Sequence, residues 1–131
     1  NGEAPRTARK RAMELLDYLG VSDRADNLPS MLSGGQQQRV AVARALANTP
    51  TVVLADEPTG NLDTKTGTEI VDLLKMLNQR EGVTVVCSTH DPKMITSSSR
   101  VCWIRDGQLI KVTHGRDFRV EDMEHDTLGR Q

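Results

Sequence analysis

Apolar residues recur every three or four positions in three stretches of the chain, which is the spacing of one face of an α-helix. These stretches are residues 6–19, 33–48 and 63–80. Gly20 and Gly82 follow the first and the third stretch, where a helix commonly ends in a left-handed glycine. The pattern therefore predicts three amphipathic helices.

Two short, continuous apolar runs follow the second and third helices. They are residues 51–55 and 83–87, and both are rich in β-branched side chains. Runs of this length and composition predict strands that are buried on both faces of a parallel sheet. A strand, a helix and a second strand in this order form a βαβ unit, in which both strands end at the same edge of the sheet. The sequence therefore predicts an α/β fold with one ligand crevice at that edge.

The last third of the sequence predicts a short helix, a hairpin and a tail. The dipeptide Asp91-Pro92 suits the start of a helix. Two strand-like runs, residues 101–105 and 108–112, flank the dipeptide Asp106-Gly107, which predicts a two-residue type I′ turn. Residues 113–131 are charged and show little periodicity, and we expect them to be loosely held or ordered by a partner.

Composition narrows the class of protein without naming a partner. The 131 residues suffice for one modest domain, and 17 Lys and Arg against 18 Asp and Glu leave a formal charge of -1. No basic field therefore argues for nucleic acid. No apolar run approaches the ~18 residues of a membrane span. Cys87 and Cys102 both lie in strand-like runs, and we interpret them as reduced core thiols of a cytosolic protein.

A glycine-rich turn precedes the second predicted helix. Ser33 is followed three residues later by Gln36, which is a capping-box pattern, and Gly34 and Gly35 lie between them. Unpaired backbone N–H groups and the helix dipole at such a start favour an anion. The turn is therefore a candidate phosphate contact.

Two adjacent carboxylates close the first predicted strand. Asp56 is placed to hold Mg²⁺ through its water shell, and Glu57 can reach a water that attacks a terminal phosphate. Adjacent acids at a strand end also occur in ordinary solvated turns, so the pair alone leaves both interpretations open. His90 follows the second strand, where it either hydrogen-bonds a γ-phosphate or is a satisfied loop residue.

As a set, these residues resemble the C-terminal part of an ATP-binding-cassette (ABC) nucleotide-binding domain, a P-loop NTPase of the RecA-like class. The resemblance covers residues 6–112. Its motifs are the signature at residues 32–36, the Walker B strand at 52–56, the catalytic glutamate at Glu57, the D-loop at 60–63 and the switch histidine at His90. The sequence of residues 56–63 is similar to that of the subgroup of lipoprotein-release, macrolide-export and cell-division ATPases.

The resemblance implies a division of the chain into three parts. Residues 1–50 belong to the helical subdomain that carries the signature motif. Residues 51–112 form the C-terminal half of the ATPase core, with the parallel βαβ unit and a C-terminal β-hairpin. Residues 113–131 form a polar tail.

The resemblance also implies a role for each motif residue. Glu57 and His90 are expected to be catalytic, and Asp56 to bind Mg²⁺. The residues expected to contact ATP are Ser33, Gly34, Gly35, Gln36 and Asp63. In the family, two domains form a head-to-tail dimer and the signature turn acts on the ATP of the partner domain. The two glycines are then expected to leave no Cβ between backbone and phosphate. Transmembrane transporter subunits are the other implied partners, nucleic acid is not a partner, and the implied location is the cytoplasmic face of a membrane.

The 131 residues contain no Gly-x-x-x-x-Gly-Lys-Ser/Thr phosphate loop. We therefore expect a fragment of an ABC transporter ATPase subunit that is inactive alone, and whose parent couples ATP binding and hydrolysis to transport. The alternative is a short non-catalytic module that docks its signature face on a complete ABC ATPase domain.

Overall fold

Helices and strands follow one another in the order that the apolar pattern predicts. The computed structural model describes residues 5–123. The chain divides into two compact units between Ser88 and Thr89. No helix among the described residues is long and apolar enough to cross a membrane. The elements are α1 (Pro5–Tyr18), α2 (Gly34–Leu46), β1 (Val52–Asp56), α3 (Thr64–Glu81), β2 (Thr84–Ser88), α4 (Pro92–Ser97), β3 (Val101–Arg105) and β4 (Gln108–Thr113), with 3₁₀ turns at Ser22–Arg24, Pro29–Met31 and Gly115–Asp117.

Strands β1 and β2 form a two-stranded parallel sheet, and α3 connects them along the chain. Their register pairs Val52 with Thr84 at one end and Asp56 with Ser88 at the other. The predicted parallel βαβ unit is confirmed, and both strands end at one edge of the sheet.

One face of this sheet is exposed within the described residues, whereas the apolar runs are typical of strands that are buried on both faces. Leu54 is 78% exposed, and Val86, its partner across the ladder, is 52% exposed. Val53 is buried, because successive side chains of a strand point to opposite faces. A continuous apolar run predicts a strand, but it does not tell which faces the same chain covers.

The core of the first unit is built from three helices and the covered face of the sheet. Helix α2 contacts both α1 and α3, and α3 contacts β2. The apolar stripe that the sequence predicts on α3 is entirely buried, and it consists of Ile70, Leu73, Leu74 and Leu77. Burying one such side chain contributes about 1.5–3 kcal/mol. This stripe therefore fixes α3 against its neighbours.

The first and third helices end at the two predicted glycines. Gly20 and Gly82 have φ angles of +72° and +68°, which glycine adopts without steric cost. At the end of α1, the N–H of Gly20 donates to the Asp17 carbonyl and the N–H of Val21 to the Leu16 carbonyl. These bonds satisfy carbonyl groups that the last helical turn leaves without partners.

The second unit contains α4 and the hairpin of β3 and β4. Asp91 caps α4, since its carboxylate accepts a 2.9 Å hydrogen bond from the N–H of Lys93. Asp106 and Gly107 have φ angles of 49° and 76°. Positive φ at both central residues is what a type I′ turn requires. The predicted short helix and hairpin turn are thus both confirmed.

Part of the predicted tail packs against this hairpin. Trp103 stacks on Phe118 with 6.1 Å between ring centroids, and its Nε1 donates to Thr113 Oγ1 at 3.0 Å. Lys111 lies over the same indole ring and forms an ion pair with Asp122. The expectation of a loosely held tail is therefore wrong for residues 113–122. Residues 124–131 lie outside the described residues.

The two cysteines differ in burial. Cys87 on β2 is partly buried, and burial raises the pKa of its thiol. Cys102 on β3 is exposed, so the interpretation as a core thiol is wrong for this residue. Its strand neighbour Trp103 points to the opposite face of the hairpin, which is the face that Phe118 covers. Both cysteines are free thiols.

Candidate functional site

The start of α2 is closed by Ser33. Its Oγ accepts a 3.2 Å hydrogen bond from the N–H of Gln36, and its N–H donates to Gln36 Oε1 at 3.0 Å, so the predicted capping box is present. The N–H of Gln37 donates to the Ser33 carbonyl at 2.9 Å. The first four N–H groups of a helix have no partner within it. In the described part of the chain, those of Gly34 and Gly35 donate no hydrogen bond, which leaves them available to a ligand.

Gly34 and Gly35 face residues of the same chain. A Cβ on Gly34 would lie 3.1 Å from Leu62 Cδ2, and a Cβ on Gly35 would overlap Thr66 Cγ2. Leu62 and Thr66 thus occupy the space that these Cβ atoms would take, and the expectation that the glycines leave no Cβ between backbone and phosphate stays a prediction. The signature turn at residues 32–36 is therefore in contact with the loop and helix start that follow β1.

Asp56 and Glu57 stand at the carboxyl end of β1, as the sequence predicts. Asp56 is exposed, and it pairs with Ser88 across the ladder. Glu57 has a φ of 44°, a left-handed conformation that costs a non-glycine residue roughly 1–2 kcal/mol. Its N–H donates to the Ser88 carbonyl at 2.8 Å, and its carbonyl accepts from the N–H of Gly60 at 3.0 Å. Glu57 is thus held in a strained conformation of the kind that clusters at functional sites, and its Oε2 is buried.

Asp63 caps α3. Its Oδ2 accepts 3.1 Å hydrogen bonds from the N–H groups of Lys65 and Thr66, and its Oδ1 accepts one from the Thr66 hydroxyl. These bonds, above all those from Thr66, lower the pKa of Asp63 below its ordinary value. The carboxylate is therefore engaged as a helix cap, and its contact with ATP stays a prediction.

His90 lies two residues beyond β2 and belongs to the second unit. It is exposed, and the next residue, Asp91, caps α4. Its predicted place beside the carboxylates of β1 stays a prediction.

Asp56 is the candidate residue for binding Mg²⁺. No three His, Cys, Asp or Glu side chains between residues 5 and 123 come together as a metal site. Mg²⁺ commonly takes only one or two carboxylates and completes its shell with phosphate oxygens and water. The exposed carboxylate of Asp56 at the strand end fits that pattern.

Two residues that the sequence analysis did not single out tie the helices together. Arg39 donates to the Leu19 carbonyl at 3.0 Å and to Glu69 at 3.3 Å, and thereby joins α2 to the end of α1 and to α3. Thr66 lies three residues after the Asp63 cap, a spacing that predicts a capping contact. Arg39 carries no comparable signal, because its partners are 20 and 30 residues away in the sequence.

Comparison with known proteins identifies the family. The sequence profile of a family described as ABC transporter matches residues 2–60. A solved dimeric structure of MJ0796, an ABC transporter cassette of Methanocaldococcus jannaschii, aligns with a TM-score of 0.75 and 46% identity over 90% of this chain and 51% of that one. The chain belongs to the ABC transporter ATP-binding family.

Two relatives of this ABC chain carry names from the predicted subgroup. The lipoprotein-releasing system ATP-binding protein LolD of Syntrophus aciditrophicus is 49% identical over 84% of this chain and 49% of its own length. The macrolide export ATP-binding/permease protein MacB of Syntrophobacter fumaroxidans is 50% identical over 82% of this chain and 15% of its own length. The subgroup predicted from residues 56–63 is thus confirmed. The chain spans about half the length of LolD and MJ0796.

Proposed function

We propose that this chain provides the signature turn and the Walker B carboxylates of an ABC transporter ATPase that couples ATP hydrolysis to transport. The observation that carries the proposal is the start of α2, where the Ser33 hydroxyl and carbonyl accept hydrogen bonds from the N–H groups of Gln36 and Gln37, while the N–H groups of Gly34 and Gly35 donate none within the described residues. Two free N–H groups at the positive end of a helix dipole suit a phosphate oxygen.

The phosphate belongs to ATP that a second nucleotide-binding domain holds. The dimeric structure of the related MJ0796 cassette supports such an arrangement, and a second structure of that protein is described as a post-hydrolysis state bound to ADP and Pi. We infer the same head-to-tail partner for this chain.

The carboxylates divide the chemistry between them. Asp56 would hold Mg²⁺, which when bound would supply positive charge to the phosphates of ATP. Glu57 orients the attacking water and accepts its proton, as a positioned general base does. Its strained backbone supports this role, because the bonds to Ser88 and Gly60 keep it at one place on the strand end. His90 hydrogen-bonds the γ-phosphate, and Asp63 contacts ATP from the loop at residues 60–63.

Transmembrane subunits of a transporter are the remaining partners, and the ATPase works on the cytoplasmic face of the membrane. The names of the LolD and MacB relatives support a transporter of this subgroup. The 131 residues alone are expected to bind ATP with a dissociation constant above about 1 mM, because they lack the loop that cradles the β- and γ-phosphates.

The test is a matched pair of substitutions at the helix cap, made in the ATPase subunit that carries this sequence. Ser33→Asp and Ser33→Asn both keep a good N-cap, but only the first adds a negative charge beside the nucleotide. We expect Mg²⁺-ATPase activity to fall at least about 100-fold in Ser33→Asp and only about threefold in Ser33→Asn. Equal activity of the two variants would show that no phosphate approaches this turn. A subunit without ATPase activity, in the presence of its transporter, would favour the alternative of a non-catalytic module.

A further inference from the structure

The two glycines of the signature turn are needed for space and not for backbone conformation. Both lie within the regular part of α2, and neither is among the residues with positive φ. Alanine is normally preferred to glycine in a helix. A requirement for glycine at these positions must therefore come from what surrounds them.

For Gly35, the neighbouring residue is Thr66. The γ-methyl group of Thr66 occupies the place that a Cβ on Gly35 would take. The hydroxyl of the same side chain donates to Asp63 Oδ1, and Thr66 N–H donates to Asp63 Oδ2 at 3.1 Å. Because a β-branched side chain has few χ1 choices, the methyl group cannot turn away from Gly35 while the hydroxyl keeps its bond to Asp63.

We propose that Thr66 is the positioning residue of the signature turn. Its methyl group sets the distance between the start of α2 and the start of α3, and its hydroxyl anchors it to the loop at residues 60–63. Leu62 packs on Gly34 from the same loop and reinforces the contact. The signature turn and this loop are therefore held at a fixed distance from each other. A shift of either one moves the N–H groups of Gly34 and Gly35 that face the nucleotide. The expected effect on ATP hydrolysis rests on the proposed function, whereas the expected effect on stability does not.

The contact between Gly35 and Thr66 predicts opposite effects of Gly35→Ala in the parent and in the Thr66→Ser variant. With Thr66 present, Gly35→Ala forces two methyl groups into one place, and the bond from the Thr66 hydroxyl to Asp63 is lost. With Thr66→Ser, the same alanine fills the space that the threonine methyl group has left. The double variant Gly35→Ala/Thr66→Ser thus moves a methyl group from one side of the contact to the other.

The experiment is a double-mutant cycle in the ATPase subunit that carries this sequence. The two readouts are the unfolding temperature and the kcat and KM for ATP. We expect Gly35→Ala to lower the unfolding temperature by about 4 °C or more, and the double variant to return to within about 2 °C of the parent. We expect kcat to fall about tenfold in each single variant and to recover in the double variant. Thr66→Val keeps the methyl group but loses the bond to Asp63, so its kcat should fall less than that of Thr66→Ser.

Gly67→Ala is the matched control, because Gly67 is also a buried helical glycine. A Cβ there would lie 3.6 Å from Thr59 Cβ, which is ordinary contact. It should be neutral or stabilising. If Gly35→Ala costs as much in the Thr66→Ser background as in the parent, the inference is wrong, since the glycine is then required for another reason. Recovery of the unfolding temperature without any ATPase activity in the parent would support the contact and refute the proposed function instead.

Discussion

The backbone N–H of Glu57 donates a 2.8 Å hydrogen bond to the carbonyl of Ser88. Ser88 is also the ladder partner of Asp56, the last residue of β1. The end of β2 therefore holds both acidic residues at one edge of the sheet. Because this bond is made by the backbone, it persists when the Glu57 side chain is replaced.

The two carboxylates should consequently be separable by mutation in the ATPase subunit that carries them. Glu57→Gln should keep ATP binding and slow hydrolysis by roughly 10²–10⁴-fold, the usual effect of losing a positioned base. Asp56→Asn should instead weaken the Mg²⁺-dependent part of ATP binding. Nucleotide binding with and without Mg²⁺, measured beside single-turnover hydrolysis, distinguishes the two. The same binding defect in both variants would contradict this division of roles.

Arg39 should stabilise the first unit more through a carbonyl than through its ion pair. A charge-assisted hydrogen bond to a partly buried carbonyl contributes about 1.5–3 kcal/mol, whereas an exposed ion pair contributes about 0–1 kcal/mol. Arg39→Met should therefore cost about 2 kcal/mol in the free energy of unfolding. Glu69→Gln, which leaves the bond to the Leu19 carbonyl in place, should cost less than about 1 kcal/mol. Denaturant unfolding checks both values, and equal losses would mean that the carbonyl bond contributes nothing.

The exposed face of the β1–β2 sheet should make the 131-residue chain self-associate. Leu54 and Val86 lie side by side on that face, and exposed apolar patches of this kind drive association. Leu54→Lys should shift sedimentation towards the monomer and reduce binding of a dye that reports apolar surface. Leu28→Lys is the control, because Leu28 is 66% exposed but lies outside the sheet. The prediction fails if the unmodified chain is monomeric at high concentration, or if the two variants behave alike.

The Asp63 cap should make stability depend on acid pH. The hydrogen bonds from Thr66 lower the pKa of Asp63 in the folded state, so the folded state binds fewer protons than the unfolded chain. The stabilisation is therefore complete above the ordinary pKa of Asp, ~3.9, and is lost as the pH falls through the lower folded value. The difference in unfolding temperature between the parent and Asp63→Asn should shrink from about pH 6 to about pH 3. Using this difference removes the contribution of Asp122, whose pKa is also lowered by its hydrogen bond from Arg119. A constant difference would show that the carboxylate charge does not stabilise the cap.

Local signals in the sequence predicted much of the fold. The stripe on α3, the cap at Ser33 and the turn at Asp106-Gly107 each depend on residues that lie close together in the sequence. The contact between Gly35 and Thr66 was not predictable in this way, because it arises only when α2 packs on α3.

Two features of the fold were not predictable from the pattern of apolar residues. Strands β1 and β2 have the continuous apolar sequence that is typical of buried strands. Such a sequence shows that the side chains are apolar, but it does not show which other element covers them. The packing of Phe118 on Trp103 lies in a segment without periodicity, so no pattern predicted it. For the candidate site, residue types and spacing pointed to the carboxylates and the glycine-rich turn. They did not predict that Leu62 and Thr66 lie against the two glycines.

The central claim is that the signature turn works on ATP held by another domain, while Glu57 works on ATP held by its own. Mixed dimers of the ATPase subunit, purified through two different tags, test it with two lesions: Ser33→Asp in the turn and Glu57→Gln at the strand end. When both lesions are in one chain, each of the two sites contains one of them. When the lesions are in different chains, one site contains both and the other is intact. We predict that the second arrangement keeps about half of the parent ATPase activity and that the first keeps at most about 1%. Equal activities in the two arrangements would contradict the claim.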